Sequence, residues 1–189
     1  MTTPPTPSTP ATPPLTAALR EQARACPGQW LYAIDPAFDP NGSVPPYGVI
    51  GAWQVDHQGA ITGFQHNPDY RPSPQALELP APRNAAEAAL QNAATGHGGE
   101  AELLAALLET PLLLRADRSG PQVVAGEGGR QVLQACTSPA YLPTGWAGSI
   151  TVTGRELGAA VTGLDLCLNP GSRLSVTLPV DDLAAADEA

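Results

Sequence analysis

The stretch NPDYRPSPQALELPAPR, residues 67–83, decides how the rest of the chain is read. Its five prolines remove five backbone donors and push each preceding residue toward extended backbone, so no regular helix or ladder runs through it. What flanks it differs in kind. Upstream the sequence carries strand and turn patterns, and downstream it becomes alanine-rich with helical spacing. The stretch therefore reads as an extended strap between two halves of an α+β protein.

Working upstream, GVIGAWQVD (48–56) and ITGFQHN (61–67) flank the turn HQG, with Gly59 able to take positive φ, which predicts a β-hairpin. The compact apolar run WLYAID (30–35) predicts a third strand. Trp30, Trp53 and Phe64 are expected in the core, because so few other bulky side chains are present. Leu15–Ala25 (LTAALREQARA) spaces its apolar residues as one face of a short helix, which Pro27 and Gly28 end. Before it, residues 1–14 hold six prolines, five threonines and no charge. That composition predicts a disordered, extended tail, serving as a spacer or else as a proline-rich ligand or a threonine phosphorylation target.

Downstream, Asn84 and Glu87 make an N-x-x-E variant of the capping box ahead of AALQNAA, and Glu100 opens EAELLAALLE after the break GHGG. Strands are expected at PLLLRAD, PQVVAGE, RQVLQACTS, SITVT, LDLCLN and RLSVTL, with a T-x-x-E capping box at Thr153 and Glu156 before RELGAAV, and a short acidic helix or frayed tail at DDLAAADEA. The order is mixed rather than alternating, favouring α+β over a doubly wound sheet. The boundaries that result are a tail over 1–14, a helix plus three strands over 15–67, the strap over 68–83 and a mixed α+β domain over 84–189.

The composition excludes several kinds of chemistry. All nine basic residues of the 189 are arginine, so lysine nucleophiles and the P-loop lysine are absent. A net charge of −9 with no basic cluster argues against a nucleic-acid or membrane-surface partner. The chain is 42% apolar but only 5% aromatic, with 31 alanines, which predicts a thin core. The N-terminus lacks the charged and apolar regions of a signal peptide, and no run approaches the roughly 18 apolar residues of a membrane helix, which predicts a cytoplasmic protein. Cys26, Cys136 and Cys167 are too few and too odd in number for a disulfide framework and read as reduced, buried thiols.

No H-x-x-x-H, H-E-x-x-H or C-x-x-C spacing offers a metal site. Ser149 and Ser172 lack the strand-turn-helix context of a nucleophile elbow. GEGG at 126–129 joins two strands as a hairpin turn rather than opening a helix toward a phosphate. Asp181 and Asp182 read as a helix N-cap. The sequence thus points to a protein that is not an enzyme and takes no cofactor.

What remains are surfaces. Tyr70 and Arg71 stand on the stiff strap, where a ring and a planar guanidinium can be offered to a partner at low entropic cost; alternatively, Arg71 satisfies strap carbonyls and caps a helix end. Trp53 and Asn67 beside them, and Thr95 and His97 near a glycine-rich break, complete the candidate partner-binding residues. Backbone N–H groups at Thr95–Gly98 and at the Asn169–Ser172 loop suggest a second possibility, a cleft for a small ligand or peptide.

The run WQVDHQGAITGFQHNPDYRPSPQALELPAP (53–82) and the following AALQNAATGHG (88–98) resemble actinobacterial type VII secretion system-associated proteins. The matching positions are Trp53, Asn67, Pro68, Tyr70, Arg71, Pro72, Ser73, Pro74, Ala94, Thr95, Gly96 and Gly98. From about Asn84 to Leu183 the chain is also similar to the SseB-type domain, an α+β module, through CTSPAYL and LNPGS. Cys136 departs from that pattern, which usually has phenylalanine there. The resemblance implies a cytoplasmic, non-enzymatic accessory or adaptor protein whose partner is a secretion component or secreted substrate. The alternatives are a small-ligand or peptide-binding module, or an immunity protein whose acidic surface suits a basic toxin.

Overall fold

The computed structural model describes residues 12–188. Of the tail expected over 1–14, residues 1–11 lie outside the described residues, and residues 12–14 form neither helix nor strand. The chain divides into two compact units, one ending at Leu79 and the other beginning at Pro80. The proline-rich strap is therefore not a separate connector. Its larger part is built into the first unit, and residues 80–83 belong to the second.

In the first unit, helix α1 (Ala17–Ala25) starts where the Thr16 hydroxyl accepts from the Leu19 N–H at 3.2 Å. Strands β1 (Trp30–Ile34), β2 (Val49–Val55) and β3 (Ile61–His66) form an antiparallel sheet in that order. In the β2–β3 turn the Asp56 carboxylate accepts from the N–H groups of Gln58 and Ala60, each at 2.8 Å. Gly59 is required there twice over: its φ is +80°, and a Cβ would come within 2.9 Å of the Arg24 Cα on α1. Register places Leu31, Trp53 and Phe64 in one cross-strand row, and Ala23, Leu31, Trp53 and Val55 form the core under α1. The Trp53 and Phe64 ring centroids lie 4.6 Å apart. Trp30 is not in this core. It is 43% exposed, because alternation along β1 sends it to the face opposite Leu31.

The second unit contains α2 (Ala85–Thr95), α3 (Glu100–Glu109), β4 (Pro111–Asp117), β5 (Gly120–Pro121), β6 (Val123–Ala125) and β7 (Gln131–Cys136). It continues with β8 (Ser149–Thr153), α4 (Gly154–Ala160), β9 (Asp165–Leu168), β10 (Val176–Pro179) and α5 (Val180–Asp187). Its mixed sheet runs β10-β9-β7-β4, with β8 and β5 also on β4 and β6 on β7. Among the described residues of this sheet only β7 and β9 pair in parallel. The fold is α+β, with a three-stranded antiparallel sheet followed by this mixed sheet and its helices.

Two strands are shorter than the sequence pattern suggests. PQVVAGE breaks at Gln122, whose N–H goes to the Arg115 carbonyl at 2.9 Å, so the chain leaves β4 at Pro121 and joins β7 from Val123. RLSVTL becomes regular only at Val176, because the Ser172 hydroxyl accepts from the Leu174 N–H and turns the chain first. Thr153 and Glu156 form the expected reciprocal cap of α4. Asp181 and Asp182 lie in the first turn of α5 rather than capping it, and the Asp181 carboxylate accepts from the Gly163 N–H at 3.1 Å.

Leu107, Leu112, Leu114, Leu166, Leu168, Val180 and Leu183 are fully buried, each adding about 1.5–3 kcal/mol of transfer free energy. The remaining volume is closed by small residues. A Cβ on Gly154 would lie 2.5 Å from the Leu107 carbonyl oxygen, and one on Gly158 would lie 2.9 Å from the Ala184 backbone nitrogen. Helix α4 thus approaches α3 and α5 at backbone distance, which an alanine-rich sequence permits and larger side chains would prevent. Replacing Gly158 with alanine must push α4 from α5, and we expect a loss of about 1–3 kcal/mol in urea denaturation followed by circular dichroism.

Candidate functional site

The strap is held to the first unit by a carboxylate. Asp35 follows β1 and is fully buried. One oxygen accepts from the Ala37 N–H at 2.9 Å, and the other accepts from the Tyr70 hydroxyl at 2.8 Å and the Ser73 N–H at 3.0 Å. The Ser73 side chain also bonds to this carboxylate. Burial by itself would raise the Asp35 carboxyl, but these donors together outweigh it and hold the group below its ordinary value of 3.8. For Tyr70, burial comes first and the hydrogen bond and charge of Asp35 second, and all push the phenol above its ordinary 10.0.

Asn67 fastens the start of the same segment. Its amide nitrogen donates to the carbonyls of Pro46 and Val49, both at 2.8 Å, and its oxygen accepts from the Asp69 N–H at 3.1 Å. Arg71 is exposed, donates its backbone N–H to the Tyr47 carbonyl at 3.0 Å, and sets its guanidinium carbon 5.9 Å from the Tyr47 ring centroid. The structure therefore brings Asn67, Tyr70 and Arg71 together around Asp35 and the Pro46–Gly48 turn. Trp53 is not part of a contact surface: at 6% exposure it is core, because the Phe64 ring and α1 cover it.

The second unit buries a polar cluster of its own. The Asn169 amide oxygen accepts from the Thr137 N–H at 2.9 Å and its hydroxyl at 3.0 Å, and that hydroxyl also lies 3.3 Å from a Glu87 carboxylate oxygen. A hydroxyl carries one proton, so it can donate to only one of the two at a time. Asn169 takes φ +48°, a left-handed conformation that asparagine tolerates better than most residues. Asn84 caps α2 through the Glu87 N–H at 2.9 Å, while Glu87 accepts from the Arg83 N–H at 2.8 Å, one residue before the position a reciprocal box would use. The buried Asn169 amide nitrogen and Ser138 hydroxyl have no hydrogen-bond partner among the described residues.

Thr95 and His97 sit at the other end of α2. The Thr95 hydroxyl donates to the Gln91 carbonyl at 2.8 Å, and the His97 N–H to the Asn92 carbonyl at 2.8 Å, where left-handed Gly96 ends the helix. Glu87, beside Asn169, is eight residues away along α2, a rise of about 12 Å. Thr95–Gly98 and the Glu87–Thr137–Asn169 cluster thus lie toward opposite ends of α2.

The cysteines also differ from one another. Cys136 is buried, donates to the Tyr141 carbonyl at 3.3 Å, and is pushed up to about 11, first by burial and then by the neighbouring Cys167. Cys26 and Cys167 are only half-buried, contrary to the expectation of three buried thiols, because one lies at the C-cap of α1 and the other faces away from the leucine row of β9.

The sequence reading missed Asp35 and Thr137, and it took Glu87 only as part of a helix cap and Asn169 only as part of a loop offering backbone N–H groups. For Asp35 there was a signal: an acid ending an apolar strand, directly before proline and a turn, with its side chain capping the N–H two residues on. Its donors 35 and 38 residues away carried none.

Two outcomes follow from the titrating groups. Asp35 has a lowered folded value, so its stabilisation is complete well above pH 3.8 and is lost as pH falls through the folded value. Tyr70 has a raised one, so its contribution holds below pH 10.0 and weakens as pH rises above it. Tyr70→Phe should cost about 1.5–3 kcal/mol at neutral pH and flatten the alkaline limb while leaving an acid limb, as read by denaturation across pH. A thiol reagent at pH 8 should label Cys136 only after unfolding, which mass spectrometry of labelled peptides would register.

The family model for the SseB protein N-terminal domain matches residues 86–185. No curated protein matches the chain, and no solved structure does. The match runs from the first turn of α2 to α5 and takes in the sheet, the helices and the Glu87–Thr137–Asn169 cluster, leaving the strap and the first unit outside it. With more than half of its 189 residues matched, the chain belongs to the SseB N-terminal domain family.

Proposed function

We propose that this protein is a cytoplasmic, non-enzymatic accessory or adaptor of a type VII secretion system, acting through contact with a secretion component or a secreted substrate and using no cofactor. The observation that carries the reading is the strap. Asn67, Tyr70 and Ser73 are bonded into the first unit, and Arg71, whose backbone N–H is bonded there too, is exposed and sets its guanidinium beside the Tyr47 ring, itself 38% exposed. A segment locked by a buried carboxylate presents these side chains with little ordering entropy left to lose on association. Arginine and tyrosine are both enriched among the residues at the energetic centres of protein interfaces. The acidity of the chain and its lack of a basic cluster point toward a protein partner rather than nucleic acid.

The test is a cross-linked pull-down from the source organism. The unaltered chain should recover a secretion component or secreted substrate, and Arg71→Ala should recover less while its stability stays within about 0.5 kcal/mol, as for surface substitutions generally. Recovery of neither class of protein overturns the reading.

A further inference from the structure

Strand β1 (WLYAI) is an open edge of its sheet: among the described residues it pairs with β2 and with no other strand. The bonds at its two ends fix which backbone groups face outward. The Gln29 carbonyl accepts from the Val55 N–H at 3.1 Å, and the Asp35 N–H donates to the Gly48 carbonyl at 2.9 Å. Alternation between them turns the N–H and C=O groups of Leu31 and Ala33 toward β2, and those of Trp30, Tyr32 and Ile34 away from it. The same three side chains share the outer face, where Trp30 and Tyr32 are 43% and 68% exposed and line a groove of about 430 Å³.

Open edges are ordinarily guarded by a charge, a proline or a very short strand. One end of the other sheet is β10, four residues long and closed by Pro179. Strand β1 has five residues, none charged and none proline. In a chain of net charge −9 it is thus a strip on which two copies can approach without setting carboxylates against each other.

The pattern of β1 is also complementary to itself. Two copies set antiparallel about Tyr32 bring Tyr32 opposite Tyr32 and Trp30 opposite Ile34, so every outward-facing residue meets another and each pair exchanges both its hydrogen bonds. Centring the pair on Leu31 or Ala33 leaves one of the three residues unmatched. An aromatic ring against a β-branched side chain is a favourable pair across neighbouring strands. Any extended segment could take the backbone bonds, but the match of Trp30 to Ile34 around a central tyrosine selects a second copy.

We propose that β1 pairs with β1 of a second copy across a two-fold axis at Tyr32, joining two three-stranded sheets into one continuous sheet. The contact is small, because each aromatic side chain buries about 150–250 Å² at most. The dimer therefore belongs among weak interfaces and should form at roughly 0.1–1 mM chain.

The test is sedimentation equilibrium of the full chain up to that concentration, together with Tyr32→Lys and Tyr32→Glu, made at a side chain too exposed to support the core. Each variant alone sets like charges opposite one another and should weaken dimerisation at least about tenfold. An equimolar mixture should recover it, since lysine then faces glutamate across the axis. The unaltered chain contains no lysine. A carbodiimide amide formed in the mixture should therefore join the two peptides that carry position 32, as read by mass spectrometry. Three results overturn the proposal: an unaltered chain that stays monomeric at the highest concentration, variants that associate as the unaltered chain does, and a mixture that regains no association.

Discussion

A carboxylate taken out of water must collect donors from its own chain, and Asp35 organises the first unit through that demand. Its partners come from the turn after β1 and from Tyr70 and Ser73, more than thirty residues away in sequence. A strap with five prolines has few hydrogen bonds with which to specify its own path, so the path is set by where the carboxylate sits. The core under α1 is small, with Ala23, Leu31, Trp53 and Val55 as its buried residues. Polar anchoring therefore carries an unusual share of the specificity.

The second unit meets a different shortage. Its alanines and glycines supply little volume, and the helices compensate by approaching at backbone distance, α4 onto α3 at Gly154 and onto α5 at Gly158. Dispersion contacts are gained by proximity rather than by large side chains. Glu87, Thr137 and Asn169 then tie the start of α2 to the ends of the parallel strands β7 and β9, where their directionality selects one arrangement among loosely shaped apolar alternatives.

Much of the fold was legible because its signals are local. The HQG turn, the Thr153–Glu156 cap and the Asn84 cap act over two to four residues, and each appears where its residues stand. The alternation that set Leu31 inward was also present, but WLYAID has apolar residues on both faces, so the pattern did not distinguish Leu31 from Trp30. The candidate site was legible only as residue types. Asn67, Tyr70 and Arg71 were singled out for their setting on a rigid segment, yet that the Tyr70 hydroxyl turns inward while Arg71 is exposed required knowing where Asp35 was. Trp53 was read both as core and as a candidate contact, and only the core reading holds, since an aromatic in a strand has equal claim to either face until the helix above it is placed.

The amino-acid sequence by itself determined the α+β class, the break at the proline-rich stretch, the helix caps and turns, and the poverty of bulky core residues, because each follows from composition or from interactions within a few residues. Only the tertiary structure decided that the strap belongs chiefly to the first unit, that Asp35 and Asn169 are the buried polar centres, and that Trp30 and Tyr32 face outward above a groove. Those outcomes depend on which distant donors and apolar faces meet, and the chain has to close on itself before that is defined.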